Sequence, residues 1–147
     1  MKKFILSFAL VIGAIASGFA QDEVIIGPGI AVDKEVHDYG TLENGSDGNC
    51  VFTVTNIGTE PLIISKCKGS CGCTVPTCKK VPILPGETSE IVVKYDTKKI
   101  GPINKSVTIT SNAVNSPTKV VRIKGTVLAP NNDASPVKDT SGSPINN

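Results

Sequence analysis

The chain has 147 residues, with 15 Lys and Arg, 13 Asp and Glu and one His, a formal charge of +2, and 39% hydrophobic but only 4% aromatic residues. The charges are scattered, with no basic stripe to follow a phosphate backbone and no basic amphipathic segment to hold a membrane surface; nucleic acid and lipid are therefore not expected partners. The length suffices for a single core of one domain.

Lys2 and Lys3 head an apolar run over residues 4–16, and Gly18 and Ala20 supply the small side chains that a signal peptidase needs. Residues 1–20 therefore read as a cleavable export signal, because a transmembrane anchor needs about 20 apolar residues without a cleavage site. No cysteine stands at the cut, so neither a lipid anchor nor membrane insertion after cleavage is expected, and the location is periplasmic or extracellular. Loss of Lys2 and Lys3 leaves 13 basic and 13 acidic residues in balance.

From residue 21 to 129 the apolar residues recur at a period near two, and Gly or Pro interrupts the chain about every ten residues, the pattern of short strands and turns. Residues 30–36 read as a first irregular strand ending at His37 and Asp38. Asn44, Gly45, Ser46, Asp47 and Gly48 mark a turn. Residues 50–55 alternate, with Cys50, Phe52 and Val54 placed inside and Val51 and Thr53 outside. Asn56, Ile57, Gly58 and Thr59 are expected to turn the chain, with Gly58 free to take a positive φ. Leu62, Ile63 and Ile64 read as the next strand, delivering the chain to Cys67. Residues 67–78 read as an irregular edge bent at Gly69 and Gly72, with Pro76 unable to donate a ladder bond. Residues 81–84 give a short strand. Residues 90–95 turn Ile91, Val93 and Tyr95 to one face, residues 103–110 alternate through Val107 and Ile109, and residues 119–127 place Val121 and Ile123 together. Phe52 and Tyr95 are the bulky core candidates. After Ala129 only Val137 and Ile145 could pack, so residues 130–147 read as a disordered polar tail.

About seven strands, each with one apolar face, are hidden most economically as an all-β sandwich of two antiparallel sheets. The chain has no Trp and no cysteine in its last strands, so the central disulfide and packed Trp of antibody domains cannot form.

Several phrases, in order, resemble a known family: Tyr39-Gly40-Thr41-Leu42, Phe52-Thr53-Val54-Thr55-Asn56-Ile57-Gly58, Pro61-Leu62-Ile63-Ile64, Ser70-Cys71-Gly72-Cys73-Thr74, Pro85-Gly86-Glu87, Ile109-Thr110-Ser111-Asn112 and Ile123-Lys124-Gly125. Together they resemble DUF1573, a bacterial exported domain family similar to the immunoglobulin-like domains of the Hydin and major-sperm-protein type. The resemblance covers roughly residues 37–127. It implies an immunoglobulin-like β-sandwich and no established activity. The family motif matches Cys71 and Cys73; Cys67, Cys78 and Cys50 are additions of this chain.

Five cysteines in an exported chain point to disulfides, with one thiol left over. Cys50 shares a face with Phe52 and reads as a small core hydrophobe. Among Cys67, Cys71, Cys73 and Cys78 three double pairings are open: Cys67–Cys71 with Cys73–Cys78, Cys67–Cys73 with Cys71–Cys78, and Cys67–Cys78 with Cys71–Cys73. The last is least favoured, because one intervening residue on a strand holds two cysteines about 6–7 Å apart. One outer link with two free central thiols is a further arrangement.

The leading functional expectation is a non-catalytic exported interaction or structural module with a cysteine-stapled loop, its partner another exported protein or a cell-envelope component. The alternative is a soft-metal (copper or zinc) or thiol-handling protein using Cys67, Cys71, Cys73 and Cys78; their C-x3-C-x-C-x4-C spacing departs from paired zinc knuckles, and C-x-C departs from the C-x-x-C of redox helices. His37 reads as a strand-end residue hydrogen-bonded to backbone or to Asp38, or, on the metal reading, as a fifth ligand. No catalytic residue and no cofactor is expected: there is no G-x-S-x-G elbow and no phosphate loop.

Overall fold

The computed structural model describes residues 23–130; the expected signal segment and all of the expected tail but Pro130 lie outside the described residues. Eight strands and no helix occur among them: β1 Ile30–Val32, β2 Val36–Leu42, β3 Asn49–Asn56, β4 Ile64–Gly69, β5 Thr74–Cys78, β6 Thr88–Tyr95, β7 Gly101–Ser111 and β8 Thr118–Val127. They form two four-stranded sheets, ordered β1-β3-β6-β5 and β2-β8-β7-β4.

Alternation decides which side of each strand is hidden. Phe52 and Val54 of β3, Ile91 and Val93 of β6, Val107 and Ile109 of β7, and Val121 and Ile123 of β8 are all fully buried. Their neighbours Val51 and Val92, paired across β3 and β6, face solvent. Each buried aliphatic or aromatic side chain stabilises the fold by about 1.5–3 kcal/mol, which makes this shared interior the main source of stability.

Two features differ from the sequence reading. The stretch expected as one strand over residues 30–36 divides between the sheets. β1 pairs with β3, the chain crosses at residues 33–35, and β2 joins the other sheet. Asp33 makes the crossing: its backbone N–H donates to Thr53 O at 3.0 Å, and its carboxylate accepts from Thr53 N–H at 2.8 Å. Because β2 continues the direction of β1 instead of reversing through a hairpin, it lies parallel to β8, so this sheet is mixed and not wholly antiparallel. The strand count is eight because this division and the strand β5 in the cysteine stretch each add one, while residues 81–84 do not form one.

Three local expectations also change. Leu62 makes only an isolated bridge to Ile83, so neither 62–63 nor 81–84 is a strand. Gly58 does not adopt positive φ. It is required because a Cβ there would overlap the carbonyl oxygen of Gly27, where the N-terminal segment crosses. Asn56, expected as a turn residue, is fully buried and ties three loops together. Its Oδ1 accepts from the N–H groups of Gly29 and Gly58, and its Nδ2 donates to the carbonyls of Glu60 and Ile83.

Candidate functional site

The cysteine stretch is not an irregular edge but two edge strands, one from each sheet. β4 closes the second sheet and β5 closes the first, and residues 70–73 carry the chain across the gap. A bulge between Ile64 and Lys66 shifts the register of β4 against β7. The extra residue turns Cys67 inward where strict alternation from Ile64 would have turned Lys66 inward. On β5, Cys78 stands opposite Ile91 of β6. Gly69 lets the end of β4 meet the start of β5, since a Cβ there would overlap the carbonyl oxygen of Thr74.

Two disulfides result. Cys67 and Cys78 are bridged across the open side of the sandwich, with Cα atoms 6.3 Å apart and a sequence separation of 11. Cys71 is bridged to Cys73, Cα to Cα 5.2 Å. This is the pairing that strand geometry disfavours. It forms because residues 71–73 lie in a turn: Thr74 N–H donates to Cys71 O at 3.1 Å and draws the two Cα atoms closer than an extended strand allows. The turn is held from both sheets, by Ser70 N–H donating to Ser106 O and Asp96 N–H donating to Cys73 O, each at 2.9 Å. Cys71 is half-buried, Cys73 is 9% exposed and Thr74 2%. The Thr74 hydroxyl lies 3.6 Å from Cys71 Sγ and 3.9 Å from Cys73 Sγ.

Cys50 is buried and unpaired on β3, two strands in from β5, and burial pushes its thiol pKa up. His37 is the second residue of β2, its ring edge-on to Tyr39 at 4.6 Å. β2 and β4 are opposite edges of one sheet, so three strand spacings, about 14 Å, separate His37 from Cys67; it does not join the cysteines. Bridged sulfurs offer no thiolate, and among the described residues no group of three His, Cys, Asp or Glu is placed to hold a metal ion. The bulge at Ser65 and the buried role of Asn56 are what sequence reasoning missed. Neither has a local signal, since both depend on which strand lies alongside.

Residues 30–127 match the family described as protein of unknown function (DUF1573). The chain belongs to this family. No curated protein matches the sequence. Among solved structures, the DUF1573 domain described here is similar to a protein of unknown function from Porphyromonas gingivalis W83, with a TM-score of 0.61 and 16% identity over 73% of this chain and 50% of that one. The chain thus spans half the length of that protein. It is similar to the ASH / PapD-like domain 7 of human CEP192, with a TM-score of 0.56 and 8% identity over 67% of this chain and 84% of that domain. A third likeness, to the secreted serine protease VesC of Vibrio cholerae, has a TM-score of 0.53 and 11% identity over 67% of this chain but 23% of that one. At these identities the likeness is one of fold: the DUF1573 domain is an immunoglobulin-like sandwich of the PapD-like kind.

Proposed function

We propose that this DUF1573 chain is a non-catalytic interaction or structural module that works outside the cytoplasm, in the periplasm or beyond it, with another exported protein or a cell-envelope component as partner. The observation that carries the reading is the Cys67–Cys78 bridge between the edge strands of the two sheets, a brace that persists only in an oxidising compartment. The signal-like residues 1–20 support the same location. The four sheet edges are unequal. β5 contains Pro76, and β4 is bulged and carries Lys66 and Lys68, devices that discourage strand addition. β2 is also irregular, between Asp38 and Thr41, but it has neither Pro nor Lys and no strand on its outer side among the described residues, and is the edge offered to a partner strand.

The test is a thiol count on chain recovered from the exported fraction, denatured, alkylated and weighed intact with and without reductant. One modified cysteine before reduction and five after are expected, Cys50 being the free thiol. Five reactive thiols before reduction, with copper or zinc bound to the native chain, would replace this reading with the soft-metal one.

A further inference from the structure

The two bridges are built differently, and the difference points to chemistry at only one of them. Cys67 and Cys78 belong to paired strands, opposite Ile109 and Ile91, and opening their bridge frees both sheet edges. Cys71 and Cys73 lie outside every strand, enclose only Gly72, and tie together no elements that Cys67–Cys78 has not already joined. Opening that small ring costs the fold little.

The turn is also open to an attacking group. Gly72 is exposed, and no heavy atom lies within 4 Å of where its side chain would begin. Of the two sulfur-bearing residues Cys71 is the more exposed and Cys73 the more buried. Lys66 and Lys68 lead into the turn along β4, and residues 65–80 include no acidic residue; Asp96, whose N–H holds Cys73 O, is an acid tied to the turn by a hydrogen bond. The balance of charge favours an incoming anion. Thr74 completes the site. Its hydroxyl is buried with the two sulfurs as its side-chain hydrogen-bond partners. A disulfide sulfur is a weak acceptor; a thiolate at the same position would be a strong, charge-assisted one.

We propose that Cys71–Cys73 is a thiol–disulfide exchange site whose substrate is a cysteine thiolate, or a dithiol, of another protein, with Cys67–Cys78 as its fixed scaffold. The incoming thiolate attacks Cys71 Sγ. The Cys71–Cys73 bond breaks, a mixed disulfide forms between the partner and Cys71, and Cys73 leaves as a thiolate that receives the Thr74 hydrogen bond and then a proton. If the partner carries a second thiolate, its attack on the partner sulfur of the mixed disulfide releases Cys71 as a thiolate. The partner has then lost two electrons to become a disulfide, and Cys71 and Cys73 have gained them. An external disulfide reverses the sequence.

The test uses the full oxidised chain in glutathione buffers of graded ratio, quenched in acid, alkylated and mapped by peptide mass. Cys71 and Cys73 are expected to become alkylatable at ratios at least about tenfold less reducing than those that open Cys67–Cys78. Simultaneous opening, or Cys67–Cys78 opening first, overturns the proposal. The Cys73→Ser variant with glutathione disulfide is expected to take one glutathione on Cys71; failure to do so in the folded variant counts against Cys71 as the attacked sulfur. Thr74→Val is expected to slow exchange with reduced glutathione about tenfold, the worth of one hydrogen bond to a charged sulfur, while Thr74→Ser restores it. An unchanged rate in Thr74→Val removes Thr74 from the site.

Discussion

His37 is the only histidine in the chain, and its ring lies on the inner side of β2 against Tyr39 and, at 6.4 Å, Phe52. Burial disfavours the charged ring, the nearby Lys34 adds to that effect, and Asp38 and Asp33 only partly offset it, so its pKa lies below the ordinary 6.5. The unfolded chain therefore binds more protons than the folded one between 6.5 and that lower value, and stability falls as pH drops through this window. Asp38 and Glu35 titrate lower still, Asp38 held down by the Gly40 N–H and Lys124, Glu35 by Lys119, so they contribute only in more acid solution. Urea unfolding should show a lower midpoint at pH 5.5 than at pH 7.5, and His37→Gln should flatten the difference. An undiminished slope in the variant would assign the effect to another group. Asn56 carries a different lesson at this scale. Its residue type was legible only as a turn former, because nothing in the neighbouring sequence reveals that Gly29, Glu60 and Ile83 converge on its amide.

At the scale of the element, two glycines three residues apart do unlike things. A Cβ at Gly69 would collide with the backbone of Thr74, which cannot move without parting β4 from β5; a Cβ at Gly72 would meet nothing. Gly69→Ala should cost about 2–3 kcal/mol in chemical denaturation, and Gly72→Ala should stay within about 0.5 kcal/mol of the parent. Equal effects would mean that β4 and β5 do not meet as described. The four longest strands were readable beforehand because each hides one face against a fixed interior. Phe52 and Val54, Ile91 and Val93, Val107 and Ile109, and Val121 and Ile123 all fall where a period of two puts them. β4 was not readable, since its bulge adds a residue and moves Cys67 to the side that alternation assigns to Lys66. The division of β1 from β2 was missed because Asp33 looks like a polar strand position, and only its pairing with Thr53 makes it a crossing point. The cysteine pairing found was the least favoured of the three open ones for the same reason, a turn lying where an extended segment was assumed.

At the scale of the whole molecule, the Cys67–Cys78 bridge ties one sheet to the other across the side where β4 and β5 have no further strand. Closing a ring of this length restricts the unfolded chain by an amount worth about 3 kcal/mol. Cys67→Ala with Cys78→Ala should therefore lower the melting temperature by roughly 10–20 °C. Cys71→Ala with Cys73→Ala, which removes a much smaller ring, should lower it by less. A larger loss from the second pair would reverse the roles assigned to the two bridges. The parallel pairing of β2 with β8 has a consequence in time as well as in space. Val36 must find Arg122, so β2 has no partner strand until β8, the last of the described strands, has been synthesised. Until β8 is available the strands made before it leave this sheet open along β2, and a factor that shields the chain is needed up to that point.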